Sequence, residues 1–73
     1  MNIIYRSETR LCATDDGLVV HVETREGWAE ARSIGQGGPR HGAVLGRIEE
    51  GNWITPPESD HVRDTILAAI ASA

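Results

Sequence analysis

The histidines and the single cysteine are the residues of this chain that could bind a metal ion or catalyse a reaction. They are Cys12, His21, His41 and His61. A structural zinc site needs four ligands, which usually come in close pairs such as Cys-x-x-Cys, and the chain has no such pair. A thiol nucleophile needs a base, an orienting group and a cleft, and 73 residues leave little room for a cleft. We therefore predict no enzymatic activity, no cofactor and no metal, and keep a thiol or metal protein built on Cys12 and His21 as an alternative.

The glycine-rich segment 35–42, GQGGPRHG, has the composition of a loop that approaches a phosphate closely. Nucleotide-binding loops carry Gly-Lys-Ser/Thr and lead into a helix, whereas here the strand-like segment AVLGRI follows. Nucleotide binding is therefore not predicted. Two interpretations remain, a plain connector between hairpins and a recognition loop that presents Arg40 and His41 to a partner.

Acidic residues outnumber basic ones by 11 to 7, and the formal net charge is −4. Nonspecific binding to nucleic acid needs clustered cations, so this balance argues against it and favours docking on a basic surface of another protein. The acidic side chains occur in short groups, most of them near predicted turns, where they either solvate the turn or form a surface that imitates nucleic-acid phosphate. The groups are Asp15–Asp16, Glu23/Glu26/Glu30, Glu49–Glu50 and Glu58/Asp60/Asp64.

Length and composition limit the class of protein. A chain of 73 residues holds one small domain. Such a domain buries only about 60% of its unfolded surface and is marginally stable, so a homodimer or a bound partner is expected to contribute. One cysteine cannot form an internal disulfide, and the N-terminal MNIIYRSETR lacks the apolar core of a signal peptide. With no long apolar run for a membrane span, we expect a soluble, cytoplasmic protein.

The segment around Asp16-Gly17 predicts a β-hairpin, because runs rich in Val, Leu and Thr flank the residue pair preferred in a type I′ turn. A two-residue loop there places Ala13 opposite Val20 and Cys12 opposite His21. One face of the hairpin then carries Leu11, Ala13, Leu18, Val20 and Val22. The other face carries Cys12, Thr14, Val19, His21 and Glu23.

The rest of the chain is predicted to continue this sheet. Residues 1–34 form a β-meander, in which MNIIYR either extends the first strand or forms a separate one. Within it, WAEARSI (28–34) alternates as a strand does, although its composition also fits a short helix. Residues 35–42 are the loop, and 43–55 form a second hairpin around Glu50-Gly51.

Residues 56–72 are predicted to form a helix. Thr55 serves as its N-cap, Pro56 occupies the first helical position, and Glu58 completes a capping box. The apolar stripe consists of Val62, Ile66, Ala69, Ile70 and Ala73. The predicted fold is α+β, an antiparallel meander sheet of four or five strands with one C-terminal helix packed on one face.

Three large apolar side chains lie at the margins of the predicted core. Trp28 has the parity of the outward face and is either an anchor for a partner or a ring folded over the open sheet. Leu67 widens the helix stripe toward solvent, where it could contact a partner or a second copy. Trp53 is expected to seal the junction between sheet and helix.

These observations predict a small acidic, non-enzymatic protein-binding module with no direct nucleic-acid or membrane partner. Its candidate partner-binding residues are Glu23, Glu26, Trp28, Arg40, His41, Glu49, Glu50 and Leu67. In size and charge the chain is similar to phage-borne inhibitors such as anti-CRISPR proteins, and this likeness implies an inhibitor that covers a nucleic-acid-binding surface of a protein or nucleoprotein complex. The alternative is a small nucleic-acid-associated β domain that uses Arg25, Arg32, Arg40 and Arg47.

Overall fold

The computed structural model describes residues 1–33 and 42–72, which form one antiparallel sheet and one helix, an α+β fold. The elements are β1 (Asn2–Arg6), β2 (Arg10–Asp15), β3 (Leu18–Arg25), β4 (Trp28–Ser33), β5 (Val44–Glu49), β6 (Asn52–Thr55) and α1 (Asp60–Ala71). Within the described part of the chain, no helix is long and apolar enough to cross a membrane.

The sheet is a simple meander in which each strand pairs with the next, in the order β1-β2-β3-β4-β5-β6. It has six strands, so the predicted four or five is too low. The first strand is separate because the chain turns at residues 7–9, where the Ser7 N–H donates to the Arg10 carbonyl at 2.7 Å. Residues 28–33 form β4, which confirms the strand interpretation of that segment.

The β2–β3 hairpin has the predicted register, with Asp15 opposite Leu18 and Cys12 opposite His21. Its turn residues Asp16 and Gly17 both adopt positive φ, +50° and +84°, as a type I′ turn requires. Glycine suits the second position because it reaches that region at no steric cost. The turn chemistry and the alternation of side chains therefore agree on one pairing.

The core lies between one face of the sheet and the helix. The buried residues of the predicted apolar hairpin face join the helix stripe there, and Trp53 packs partly buried against them, as expected. The cluster consists of Leu11, Ala13, Val20, Val22, Ala31, Val62, Ile66 and Ala69. Gly46 lets the helix approach β5, because a Cβ at that position would lie 3.0 Å from both Ile66 Cδ1 and the Trp53 ring.

The helix begins at Asp60, later than the predicted residue 56, and the predicted Thr55 cap is wrong. Ser59 is the N-cap instead, and its hydroxyl accepts a hydrogen bond from the Val62 N–H at 3.3 Å. The physical reason is Pro57, since a residue that precedes proline is disfavoured in the α region and Pro56 therefore cannot start a helix. The other end of the helix is held to β1, where the Arg6 guanidinium donates to the Ser72 carbonyl.

Candidate partner-binding site

Two turns lie side by side at one end of the sheet and form a concave surface that contains several of the predicted site residues. The β3–β4 turn contains Glu26 and Gly27, and the β5–β6 turn contains Glu50 and Gly51. The Glu50 N–H donates to the Gly27 carbonyl at 2.8 Å, which locks the two turns together. Residues far apart in the sequence therefore become neighbours.

A groove with a volume of about 490 Å³ lies at this end, and we call it the hairpin-end groove. It is lined by Glu26, Gly27, Trp28, Glu49, Glu50, Asn52 and Ile54. Four of the eight predicted partner-binding residues are among these. Sequence reasoning missed Ile54, which is 55% exposed, because a β-bulge leaves it without a register partner between Trp53 and Thr55.

Trp28 forms part of the groove wall, and the side chain of Arg47 covers one face of its ring. The guanidinium carbon lies 4.4 Å from the ring centroid, within the distance of a cation–π contact. Glu49, directly across the sheet from Trp28, accepts a hydrogen bond from Arg47 Nη2 at 3.1 Å. One face of the indole is therefore covered by Arg47, while the side chain remains partly exposed.

Arg47 belongs to an ion-pair network on the sheet face opposite the helix. Glu30 sits at its centre, accepting from Arg32 Nε at 2.7 Å and from Arg47 Nη1 at 3.0 Å. Desolvation raises the pKa of Glu30, but the hydrogen bonds from the two arginines outweigh it, so that the pKa lies below its ordinary value. Hydrogen bonds to Glu30 and Glu49 likewise raise the pKa of Arg47.

The acidic residues at the groove differ in their pairing. Glu49 is bound to Arg47, whereas Glu26 and Glu50 are exposed and make no ion pair with the described residues. Because no cation among the described residues pairs with them, these two exposed side chains can receive a cation from outside. The groove thus combines apolar surface with available negative charge.

The remaining predicted binding residues lie elsewhere or outside the described residues. Glu23 is on the open sheet face, where it pairs with Arg25 at 2.8 Å. Leu67 is 43% exposed and lies on the helix, whereas the groove is built from the sheet. Arg40 and His41 belong to residues 34–41, which lie outside the described part of the chain.

A smaller apolar hollow of about 250 Å³ adjoins the hairpin-end groove on the helix side. Ile48, Ala29 and Ile70 contribute to its wall, and it shares Trp28 and Glu50 with the groove. The two concave surfaces meet at the paired turns. An apolar side chain and a cationic one from the same partner could therefore be accommodated side by side.

Cys12 and His21 face each other across β2 and β3 on the open face, and Tyr5 of β1 joins them. His21 Nε2 is 2.9 Å from the Tyr5 hydroxyl, and both Cys12 and His21 are buried. Burial raises the pKa of the Cys12 thiol, which disfavours the nucleophilic thiolate. Among residues 1–33 and 42–72, no three His, Cys, Asp or Glu side chains converge as metal ligands would.

Comparison with protein-family models, curated protein sequences and solved structures finds no match to this chain. The fold class is therefore set by the architecture alone, as a six-stranded antiparallel meander carrying one C-terminal helix.

Proposed function

We propose that the protein is a small non-enzymatic protein-binding module whose hairpin-end groove docks on a basic surface of another protein. Where that surface also binds nucleic acid, docking inhibits the partner. The observation that carries the proposal is the location of Trp28 and Ile54 in one groove with the exposed carboxylates of Glu26 and Glu50, which make no ion pair within residues 1–33 and 42–72.

The groove has the composition of an energetically productive contact. Tryptophan is enriched at the centres of protein interfaces, where it supplies apolar area at a low entropic cost. Here the Arg47 guanidinium packs on the Trp28 ring, a contact that favours this ring orientation before binding and so reduces the ordering cost. The surrounding carboxylates match an arginine or lysine of the partner, and the net charge of −4 attracts a basic surface over a longer distance.

Pairing of the arginines supports this proposal over the nucleic-acid alternative. Arg25 is bound to Glu23, and both Arg32 and Arg47 are bound to Glu30. Phosphate binding needs cations that are free to contact the backbone of the nucleic acid, and these three are already neutralised by carboxylates. The buried Cys12 thiol, with its raised pKa, similarly gives little support to a thiol enzyme.

The test is affinity capture from the native host with the wild-type protein and two charge-reversed variants. The groove variant carries Glu26→Arg and Glu50→Arg, and the matched control carries Glu58→Arg and Asp64→Arg at exposed positions in and beside the helix. We expect a basic, nucleic-acid-binding protein to be retained by the wild type and the control, and to be lost by the groove variant. Retention should also weaken with added salt, because charge attraction is screened over about 8 Å at physiological ionic strength.

A further variant separates the proposal from thiol chemistry. Cys12→Ser should retain the partner as the wild type does, since the buried thiol lies outside the groove. Equal loss of the partner in the groove variant and in the control, or loss in Cys12→Ser alone, would contradict the proposal. Circular dichroism of each variant establishes that its fold is intact.

A further inference from the structure

The two edges of the sheet differ in how well they are protected. β6 has four residues and is followed at once by Pro56 and Pro57, which have no N–H to donate to a neighbouring strand. β1 has no proline, and no described strand pairs with its outer edge. An open edge of this kind is a template for association with another strand.

The side chains of β1 add apolar surface to this open edge. Every residue of β1 is exposed, and Met1, Ile3, Ile4 and Tyr5 are between 40% and 59% exposed. Ile4 is the most exposed of them, because the β-bulge between Ile3 and Tyr5 turns it out of the ladder with β2. Ile3 shares the helix-facing side with Ala13, Tyr5 shares the open face with Cys12, and Ile4 lies between them, so β1 presents apolar side chains along its outer edge.

The charges on either side of β1 indicate which partner fits. The register of β1 with β2 places Arg6 and Arg10 toward one end of this hairpin and Asp15 and Asp16 toward the other. Within this hairpin the first end stays positive with Glu8 included, and the second stays negative although the Met1 amino group lies 3.8 Å from Asp15. Glu23 of β3, which lies opposite Arg10, is paired with Arg25. Two copies related by a two-fold axis beside the outer edge of β1, perpendicular to the strand, therefore bring each positive end beside the negative end of the other copy.

We propose that the β1 edge is a contact surface between two copies of this chain, arranged antiparallel about a two-fold axis. Apolar side chains then meet apolar side chains, no carboxylate is buried, and the end charges attract. A standard interface takes about 800 Å² from each partner, a large share of the 4507 Å² surface of this protein. The contact is therefore at the small end of the range, and we expect the dimer to dissociate on dilution.

Sedimentation equilibrium over a range of protein concentrations tests the proposal. The average mass of the wild type should rise from 7.9 kDa toward twice that value as the concentration rises from about 1 µM to about 1 mM. Ile4→Arg should remain a monomer throughout, because it places charge in the contact. Ile54→Arg is the matched control on the opposite edge, 55% exposed against 59% for Ile4, and should dimerise as the wild type does.

Cysteine cross-linking provides a readout that does not depend on the arginine substitutions. In a Cys12→Ser background, Ile4→Cys should form a disulfide-linked dimer under mild oxidation many times faster than Ile54→Cys, because only β1 lies near the axis. A wild type that stays monomeric at about 1 mM, or equal cross-linking rates for the two cysteines, overturns the proposal. So does equal dimerisation of the two arginine variants.

Discussion

Replacing Ile66 with alanine should be strongly destabilising, because this side chain fills the space between the helix and the sheet. Ile66 is 1% exposed, and its Cδ1 lies above Gly46 of β5. The substitution removes three carbon atoms, which costs about 2.4 kcal/mol of transfer free energy at about 0.8 kcal/mol per methylene group. The cavity that remains adds about 1 kcal/mol, which gives a total of about 3–4 kcal/mol.

The next residue along the helix provides the control. Leu67→Ala removes the same number of carbons from a side chain that is 43% exposed, leaves no cavity, and introduces the best helix former. We expect its cost to stay below about 1 kcal/mol. A domain of this size has a total stability of only about 4–11 kcal/mol, so the difference is readily measured.

Urea and thermal denaturation, followed by far-ultraviolet circular dichroism, measure both variants. At about 4–8 °C per kcal/mol, Ile66→Ala should lower the melting temperature by about 12–32 °C. Leu67→Ala should lower it by less than about 8 °C. Equal shifts for the two variants would refute the packing of this helix face on the sheet.

Two further predictions concern the turn and the ion-pair network. Gly17→Val should lower the free energy of unfolding by about 1–3 kcal/mol. This cost comes entirely from the backbone, because φ is +84° and nothing lies within 4 Å of the added Cβ. Gly17→Asn should cost much less when both variants are unfolded in urea. Equal costs would contradict the type I′ turn. Glu30→Gln should reduce the free energy of unfolding at neutral pH. Because the pKa of Glu30 is lowered in the folded protein, the stability difference between variant and wild type should persist above about pH 4.5. It should close as the pH falls through the folded pKa. A gap that is independent of pH would show that the two arginines do not stabilise the carboxylate.

Local signals in the sequence were enough to predict the elements that depend on near neighbours. The Asp16-Gly17 turn closes the β2–β3 hairpin with two residues, so the turn and the alternation together set the pairing of Cys12 with His21. The helix stripe was equally predictable, since Val62, Ile66 and Ala69 recur at helical spacing and are buried. The start of the helix was not, because the restriction that Pro57 imposes on Pro56 competed with an apparently good capping sequence.

For the candidate site too, the sequence predicted one part and left another part undetermined. Its residue types were visible in the sequence, because glutamates at turns and an outward-facing tryptophan are local features. The spatial arrangement was not visible, because the hydrogen bond between Glu50 and Gly27 and the packing of Arg47 on Trp28 join segments distant in the chain. Ile54 entered the groove through a β-bulge, and a one-residue shift in register moves a side chain to the other face.

Sequence alone thus determined the hairpin register, the buried face of the helix and the excess of negative charge, each of which depends on residue type and short-range spacing. Tertiary structure decided which carboxylates the described arginines bind and which they leave exposed. Glu30 and Glu49 are bound by Arg47, while Glu26 and Glu50 face solvent beside Trp28. The physical reason is that pairing of charges depends on distances of a few ångströms between strands, and these distances exist only after the whole sheet has formed.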